Sequence, residues 1–294
     1  MTAQPPSLEI GSGPVTPRVM GIVNATPDSF SDGGQFLALD AALAQARRLI
    51  ADGADILDLG AESTRPGATQ VPADVEIARI VPLIAGIRAM SQIPISVDTM
   101  KPEVACAAMA AGASIWNDVT AQRFSEDSLR VAADLGCEVV LMHMQGEPGT
   151  MQAEPRYDDV VAEVVAFLAE RAAAAMAAGV VRDRIWLDPG IGFGKHMIRH
   201  NLPLLASLDR IVALGFPVLL GTSRKAFIGA LDNGAKADAR LGGSVASALA
   251  GARAGVAAVR VHDVRETVQA LAVQAAIDQA VPTRTLASQG TRVS

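Results

Sequence analysis

The 294-residue sequence predicts a single (β/α)₈ barrel, an α/β fold, on three observations. Short apolar runs alternate with longer helical patterns, which is typical of a parallel sheet. Eight such units fit within fewer than 300 residues, and a closed barrel of that length is commonly one domain. Polar residues repeatedly follow the apolar runs, and in a closed parallel sheet all of those strand ends meet on one rim.

The strands and helices are predicted in strict alternation. The strands are expected at 18–23, 55–60, 94–98, 114–118, 138–143, 184–188, 217–221 and 257–262. The helices are expected at 39–52, 73–90, 102–111, 126–135, 159–178, 201–214, 238–254 and 265–280, with a further helix starting near Ser223. The barrel domain then spans 17–280, between polar segments 1–16 and 281–294 that are expected to be loose ends.

The composition excludes several classes of protein. Hydrophobic residues make up 50% of the chain, which is enough for a large core. The formal net charge of −6 and the 3% of aromatic residues argue against a nucleic-acid partner. We expect a cytoplasmic protein, because neither a secretory signal nor an apolar segment of about 20 residues is evident. Cys106 and Cys137 lie in apolar sequence and are expected to be reduced core residues.

Three polar residues end strands that are expected to be neighbours or near neighbours. Asp98 ends the third strand, Asn117 the fourth and Asp188 the sixth. Carboxylates and an amide can together bind the N–H and C=O edge of a flat heterocycle. Each residue alone could instead cap a helix, since Asp and Asn often precede helices. The three together favour a binding site.

Cationic and hydroxyl groups follow the last two strands. Arg260 and His262 alternate along the eighth strand, which places both on the same side. An arginine that points into a barrel is costly unless it meets an anion, and phosphate sites often follow strands 7 and 8. Ser223 and Lys225 follow the seventh strand, where free N–H groups of a helix could bind an anion. Arg224 could add to this positive cluster.

The loops after the first two strands are longer than usual. Residues 25–38 and 61–72 are typical of mobile lids over an active site. Thr64 and Arg65 offer a hydroxyl and a guanidinium to an oxyanion, although a surface salt bridge is the default for a lone arginine. Asn24 could bind Mg²⁺ through its amide oxygen, since Mg²⁺ needs only one or two protein ligands when phosphates supply the rest.

Other polar motifs carry less weight. His143 is interpreted as a packed residue at a strand end. His196 and His200 lack a matching acid, so a zinc site is not predicted. The glycines of 190–194 have the wrong spacing for a dinucleotide loop.

Long motifs resemble those of the dihydropteroate synthase family of pterin-binding barrels, the folate-pathway target of sulfonamides. The resemblance covers about residues 18–275. The motifs are MGIVNATPDSFSDGG, GADILDLGAESTRPGA, PISVDTMKPEVA, NDV, LMHMQGEPGTMQ, LDPGIGFGK, GTSRKAFIG and RVHDV. Val119 departs from the family's frequent Ile, which trims the pocket without changing the reaction.

The resemblance implies a transferase that joins 6-hydroxymethyl-7,8-dihydropterin pyrophosphate to p-aminobenzoate, releasing pyrophosphate. It also implies a homodimer and a requirement for Mg²⁺. The pterin would be held by Asp98, Asn117, Asp188 and Lys225 and lined by Val119, Met142, Phe193 and Gly221. The diphosphate and Mg²⁺ would be held by Asn24, Thr64, Arg65, Arg260 and His262. Phe30, Pro66 and Ser223, with the helix terminus after it, would meet p-aminobenzoate.

The catalytic roles follow from departure of pyrophosphate before the arylamine attacks. Asp98 would stabilise the cationic pterin, and Arg65, Lys225, Arg260 and His262 would complete the catalytic set. Two other functions are alternatives. A pterin-dependent methyltransferase would share the Asp/Asn trio but has no use for the anion-binding residues, and a non-catalytic pterin-binding paralogue would have lost them.

Overall fold

The computed structural model describes residues 16–25, 35–62, 70–146 and 149–280. The strands are β1 Arg18–Asn24, β2 Ile56–Gly60, β3 Ile95–Asp98, β4 Ile115–Asp118, β5 Glu138–Met142, β6 Ile185–Asp188, β7 Leu219–Gly221 and β8 Ala258–Val261. The helices are α1 Gln35–Ala51, α2 Ala73–Arg88, α3 Pro102–Ala111, α4 Ser128–Leu135, α5 Val160–Ala177, α6 Asn201–Ala206, α7 Leu208–Val212, α8 Ala226–Leu231, α9 Leu241–Ala254 and α10 Val264–Gln279.

The eight strands form one parallel sheet that closes on itself. The strand order is β6-β5-β4-β3-β2-β1-β8-β7. A parallel bridge between Leu187 and Val218 joins the two end strands, and the Leu187 N–H donates to the Pro217 carbonyl at 2.9 Å. The predicted (β/α)₈ barrel, also called a TIM barrel, is confirmed, and each predicted strand is found within two residues of its expected bounds.

The inside of the barrel is filled in layers. One buried apolar cluster takes a residue from every strand except β3, and it forms the floor layer: Met20, Ile56, Ile115, Val140, Trp186, Leu219 and Ala258. Because side chains alternate along a strand, residues two positions further on also point inward. These form the site layer: Ile22, Asp58, Asn117, Met142, Asp188, Gly221 and Arg260.

The helices cover the outside of the sheet. The large core cluster combines outward strand residues such as Leu57, Leu59 and Val97 with helix residues such as Ile80 and Leu83. Helix α3 ends at Gly112, whose φ of 114° lies in the left-handed region that favours glycine. Aliphatic residues dominate this layer, in keeping with the low aromatic content of the chain.

Three details differ from the predictions. The helix expected at 201–214 is divided into α6 and α7 at Ser207, whose φ of −122° departs from helical geometry. The helix expected to start near Ser223 is α8, which begins three residues later and has only six residues. The prediction of two core cysteines is wrong for Cys106, which is exposed because it lies on the outer face of α3; Cys137 is buried.

In the part of the chain that the structure describes, no helix combines the length and the apolar character needed to span a membrane. The predicted terminal segment 281–294 and all but residue 16 of segment 1–16 lie outside the described residues.

Candidate active site

The predicted trio of Asp98, Asn117 and Asp188 meets at the carboxyl end of the barrel. Asn117 and Asp188 belong to the site layer, and Asp98 ends β3 opposite Gly60. The helix-capping alternative does not account for Asp98, because Lys101 occupies the N-cap position of α3. Asp188 does make a local turn bond, since its Oδ1 accepts from the Gly190 N–H at 2.6 Å.

An apolar patch lies beside these polar groups. Val119, Met142, Met144 and Met151 form a separate buried cluster, and Phe193 packs against it. Val119 directly follows β4, and Met142 is the last residue of β5. The patch therefore lies at the height of the rim. The result is a slot with apolar walls and a polar edge, which suits a flat heteroaromatic ring.

Arg260 connects two carboxylates inside the barrel. Its Nε donates to Asp58 Oδ2 at 2.6 Å, and its Nη2 donates to Asp98 Oδ2 at 2.9 Å. Gly221, the neighbour of Arg260 in the β7–β8 pairing, leaves room beside it, since a Cβ there would lie 4.0 Å from the Arg260 Cβ. The prediction that Arg260 points inward is therefore confirmed. Its two ion pairs offset the desolvation free energy of the buried guanidinium.

Asp58 is the residue of this cluster that the sequence reasoning missed. It is 0% exposed and lies in the middle of the apolar run of β2. A charged residue at an inward position of an otherwise apolar strand was the signal that could have found it.

Lys225 follows β7, the strand that pairs with β8 and Arg260. Its Nζ is 4.1 Å from the centre of the Phe193 ring, a cation–π contact. Burial lowers the pKa of Lys225 to about 8, although the Asp188 charge opposes this shift. Lys225 and Phe193 thus define the wall of the slot opposite β3.

Ser223 and His262 form a pair on the rim. Ser223 Oγ lies 3.0 Å from His262 Nδ1 and accepts from the His262 backbone N–H at 3.2 Å. Burial, and after it the Arg260 charge, lowers the pKa of His262 to about 4, so the imidazole is neutral at pH 7. His262 can therefore offer a hydrogen bond to an anion but not a full charge.

Arg224 is not part of this cluster, contrary to the expectation that it could add to it. Its φ of 58° is unusual for a residue other than glycine, and it directs the side chain outward. Arg224 Nε and Nη2 donate to Asp263 at 3.1 and 2.5 Å. This turn leaves Ser223 and Lys225 to face the site while Arg224 holds α10.

The glycines of 190–194 serve close packing. A Cβ at Gly190 would overlap the His143 carbonyl oxygen, and one at Gly194 would overlap the Gln145 carbonyl oxygen. Lys195, which is 0% exposed, donates from Nζ to carbonyls of this turn and lies 2.8 Å from His143 Nδ1. The rejection of a dinucleotide loop agrees with this geometry.

His143 is a packed residue, as predicted. Burial lowers its pKa to about 3, and its ring contacts Phe167 edge-on at 4.8 Å. His196 and His200 use their Nδ1 atoms to accept backbone N–H groups. Within the described ranges, no group of three or more His, Cys, Asp or Glu residues could hold a metal ion.

Burial raises the pKa values of both acidic residues that face the slot, Asp98 and Asp188. Burial raises the pKa of Asp98 to about 7, with Arg260 opposing and Asp58 reinforcing the shift. Burial also raises the pKa of Asp188, although the Gly190 N–H and Lys225 oppose it. For Arg260 burial lowers the pKa, but Asp58 and Asp98 together raise it above its ordinary value. Perturbed groups clustered in a cleft are typical of an active site.

Sequence comparison identifies the family. A profile described as "Pterin binding enzyme" matches residues 20–262. The dihydropteroate synthase of Escherichia coli (strain K12) is 47% identical over 258 residues, which are 87% of this chain and 90% of that protein. The chain belongs to the dihydropteroate synthase family of pterin-binding enzymes.

Solved structures of this family superpose on the barrel. Dihydropteroate synthase of Xanthomonas albilineans with 4-aminobenzoic acid is 53% identical, with a TM-score of 0.84 over 90% of this chain and 94% of that chain. The same enzyme in complex with 7,8-dihydropteroate gives 50% identity and a TM-score of 0.82, over 90% and 95% of the two chains.

Of the remaining predicted site residues, the structure describes Asn24 but not the four that lie in the two long loops. Asn24 ends β1 opposite Gly60, at the same height as Asp98. Phe30, Thr64, Arg65 and Pro66 lie outside the described residues. Glu62 is the last described residue before 63–69, and it pairs with the buried Lys101. The Lys101 Nζ also donates to Glu76 at 2.8 Å. This ion triad anchors the end of β2 to α2 and α3.

Proposed function

We propose that this protein is a dihydropteroate synthase, which condenses 6-hydroxymethyl-7,8-dihydropterin pyrophosphate with p-aminobenzoate to 7,8-dihydropteroate and pyrophosphate in folate biosynthesis. One observation carries the proposal: Arg260 and Lys225 face the same slot as Asp98, Asn117 and Asp188. A cation for a leaving anion and acids for an amino-pyrimidinone edge are then present at one rim.

The pterin ring is held by Asp98, Asn117, Asp188 and Lys225, with the apolar patch against its faces. Asp188 and Lys225 support this role, because each acts on the pKa of the other across the slot. Lys225 contributes a cation to a ring carbonyl or nitrogen. The 7,8-dihydropteroate complex of the Xanthomonas albilineans enzyme supports the choice of ligand.

The diphosphate is held by Arg260 and His262, together with Thr64 and Arg65. His262 donates from Nε2, because Ser223 engages its Nδ1. Mg²⁺ fits the donor set: Asn24 supplies a neutral oxygen at the rim, and the diphosphate supplies the charged oxygens. When bound, the ion would neutralise charge on the leaving group.

The reaction begins with cleavage of the bond between the exocyclic carbon and the diphosphate oxygen. Positive charge then spreads over the electron-rich dihydropterin ring, and ionised Asp98 stabilises it. Arg260 stabilises the negative charge that grows on the leaving group. The p-aminobenzoate nitrogen attacks the carbon with its lone pair and loses its proton once the new bond has formed.

We place p-aminobenzoate beside Ser223, and the resemblance assigns Phe30 and Pro66, which lie outside the described residues, to the same substrate. The Ser223 hydroxyl offers the polar contact for the carboxylate. Helix α8 begins at Ala226 and is short, so the hydroxyl rather than the helix terminus is assigned this role. The Xanthomonas albilineans enzyme with 4-aminobenzoic acid supports the substrate.

We also propose that the enzyme is a homodimer and acts in the cytoplasm. An apolar groove of about 420 Å³ lies between α6, α8 and α9, and Leu231 and Leu241 beside it are exposed. A second copy of the chain would cover this face. The cytoplasm is supported by the charge of the substrate, since a diphosphate ester does not cross a bilayer unaided. Sedimentation of the purified protein tests the oligomeric state.

Turnover of the two substrates tests the function. Purified protein is incubated with the pterin pyrophosphate and p-aminobenzoate, and formation of 7,8-dihydropteroate and pyrophosphate is followed by chromatography. We expect both products in equal amounts with Mg²⁺ and strongly reduced rates in excess EDTA. Release of pyrophosphate without dihydropteroate, or no product at all, would contradict the proposal.

A further inference from the structure

The two carboxylate partners of Arg260 lie at different depths. Asp58 is completely buried in the site layer, and it takes the Nε edge of the guanidinium at 2.6 Å. Asp98 lies at the end of its strand with 11% of its side chain exposed, and it takes Nη2 at 2.9 Å. The first partner is therefore out of reach of substrate, and the second is within reach.

Asp58 also contacts a second predicted site residue. Asn117 Nδ2 lies 3.4 Å from both carboxylate oxygens of Asp58. Ser96 is the neighbour of Asp58 in the β2–β3 pairing, and the Ser96 Oγ is buried without a hydrogen-bond partner. Among the described residues, Arg260 is the one cation that forms an ion pair with Asp58.

The energetics of the two contacts differ accordingly. Separating Arg260 from Asp58 would leave the buried carboxylate without its cation, which is strongly destabilising in a protein interior. Separating Arg260 from Asp98 costs less, because Asp98 is partly exposed and the pterin edge replaces the lost donor. Arg260 can thus change its outer partner while it keeps the inner one.

We propose that Asp58 is a positioning residue for the reaction: it holds Arg260 by Nε, while Nη2 of Arg260 moves from Asp98 to the leaving diphosphate. This inference rests on the proposed function. Asp58 itself touches neither substrate, and its effect on catalysis passes through Arg260.

A double-mutant cycle tests this coupling. The variants are Asp58→Asn, Arg260→Met and the double variant, and kcat/KM for the pterin pyrophosphate is measured at saturating p-aminobenzoate. In the parent background we expect Asp58→Asn to lower kcat/KM on the order of 100-fold, because a small misplacement of a catalytic group has such an effect. In the Arg260→Met background we expect less than about a threefold change, because the group that Asp58 positions is gone.

Asp118→Asn is the matched control. Asp118 is also a completely buried strand aspartate, at the end of β4, but its carboxylate accepts from Thr120 and Gln122 instead of Arg260. Any loss that it causes through the fold should be the same factor in both Arg260 backgrounds. An equal factor for Asp58→Asn in both backgrounds would overturn the proposal.

The pH profile gives a second readout that a purely structural role would not move. Asp98 is influenced by Arg260 from β8, Asp58 from β2, Glu76 from α2 and Asp118 from β4. Removing the like charge of Asp58 should shift the acidic limb of kcat/KM to lower pH by about one unit or more. An unshifted limb would contradict the shared-arginine arrangement.

The design separates the possible failures. If Asp58→Asn does not fold, Arg260→Met is compared with the double variant; equal values support the proposal, and a further loss of about tenfold contradicts it. If the parent enzyme forms no dihydropteroate, the proposed function is wrong. If the parent turns over and the cycle is additive, only the role of Asp58 is wrong.

Discussion

The floor layer and the site layer are two residues apart on the same seven strands, yet they differ in almost every respect. The floor layer is apolar apart from Trp186, whose Nε1 donates to Glu138 at 2.6 Å and whose ring stacks under Arg18. The site layer replaces Ile56 by Asp58, Trp186 by Asp188 and Ala258 by Arg260. The backbone geometry is shared, so the side chains alone create the difference.

The floor layer satisfies its own needs, whereas the site layer does not. Floor residues pack against each other, and the single indole N–H has a partner. In the site layer Arg260 binds Asp58, and beside this layer burial brings the pKa values of Asp98 and Lys225 to about 7 and about 8. Changes in the floor should therefore alter stability, and changes in the site layer should alter chemistry.

The largest effect is expected for Arg260→Met. Because charge on the leaving diphosphate grows toward the transition state, kcat should fall on the order of 1,000-fold. Affinity for 6-hydroxymethylpterin should change by only about threefold, because this ligand has no diphosphate for Arg260 to bind. Steady-state kinetics and titration calorimetry measure the two quantities. A kcat within a few-fold of the parent would remove Arg260 from the mechanism.

A comparison of Lys225 with the completely buried Lys195 should sharpen the division between site and support. Lys225→Met should weaken binding of 6-hydroxymethylpterin by roughly 10- to 100-fold, the usual loss for a charged hydrogen bond, with little change in Tm. Lys195→Met should cost about 2 kcal/mol or more of unfolding free energy, because the carbonyls of Gly190 and Phe193 lose their donor. Calorimetry and denaturant titration distinguish the outcomes, and the reverse pattern would contradict the assignment.

The pH dependence of kcat/KM should be bell-shaped with its optimum between about 7 and about 8. Protonation of Asp98 below the first value removes the charge that stabilises the pterin cation, and deprotonation of Lys225 above the second removes a cation from the slot. Each limb should fall about tenfold per pH unit. Asp98→Asn should abolish the acidic limb, which separates this residue from titration of the substrate. A flat profile from pH 6 to pH 9 would show that neither group controls turnover.

The smallest effect is expected for Trp186→Phe in the floor layer. The substitution removes the hydrogen bond to Glu138 and part of the stack with Arg18, so the free energy of unfolding should fall by about 1 kcal/mol. Turnover should stay within about twofold of the parent, because the change lies one layer below Asp188. Denaturant titration and steady-state kinetics measure both. A loss of turnover as large as that of Lys225→Met would erase the distinction between the layers.

Much of the fold could be predicted because the patterns are local. Short apolar runs that alternate with longer helical patterns predict strands and helices directly, and the long motifs predict the family. Asp58 was not predicted as a site residue because it lies inside an apolar run that is typical of an ordinary strand. The outward direction of the Arg224 side chain was not predicted either. Its φ of 58° accompanies contacts with Ser244 and Asp263, which are distant in sequence.

By itself the sequence determined the barrel, the rim that carries the chemistry and most of the residues on it, because periodicity and strand ends are properties of neighbouring positions. Only the tertiary structure decided which charges meet. Asp58, Asp98 and Arg260 come from three strands as far apart as 202 positions along the chain, and closure of the barrel brings them within hydrogen-bond distance. Burial then raises the pKa of Asp98 and lowers that of Lys225, since both effects depend on the surrounding low-dielectric interior and not on sequence order.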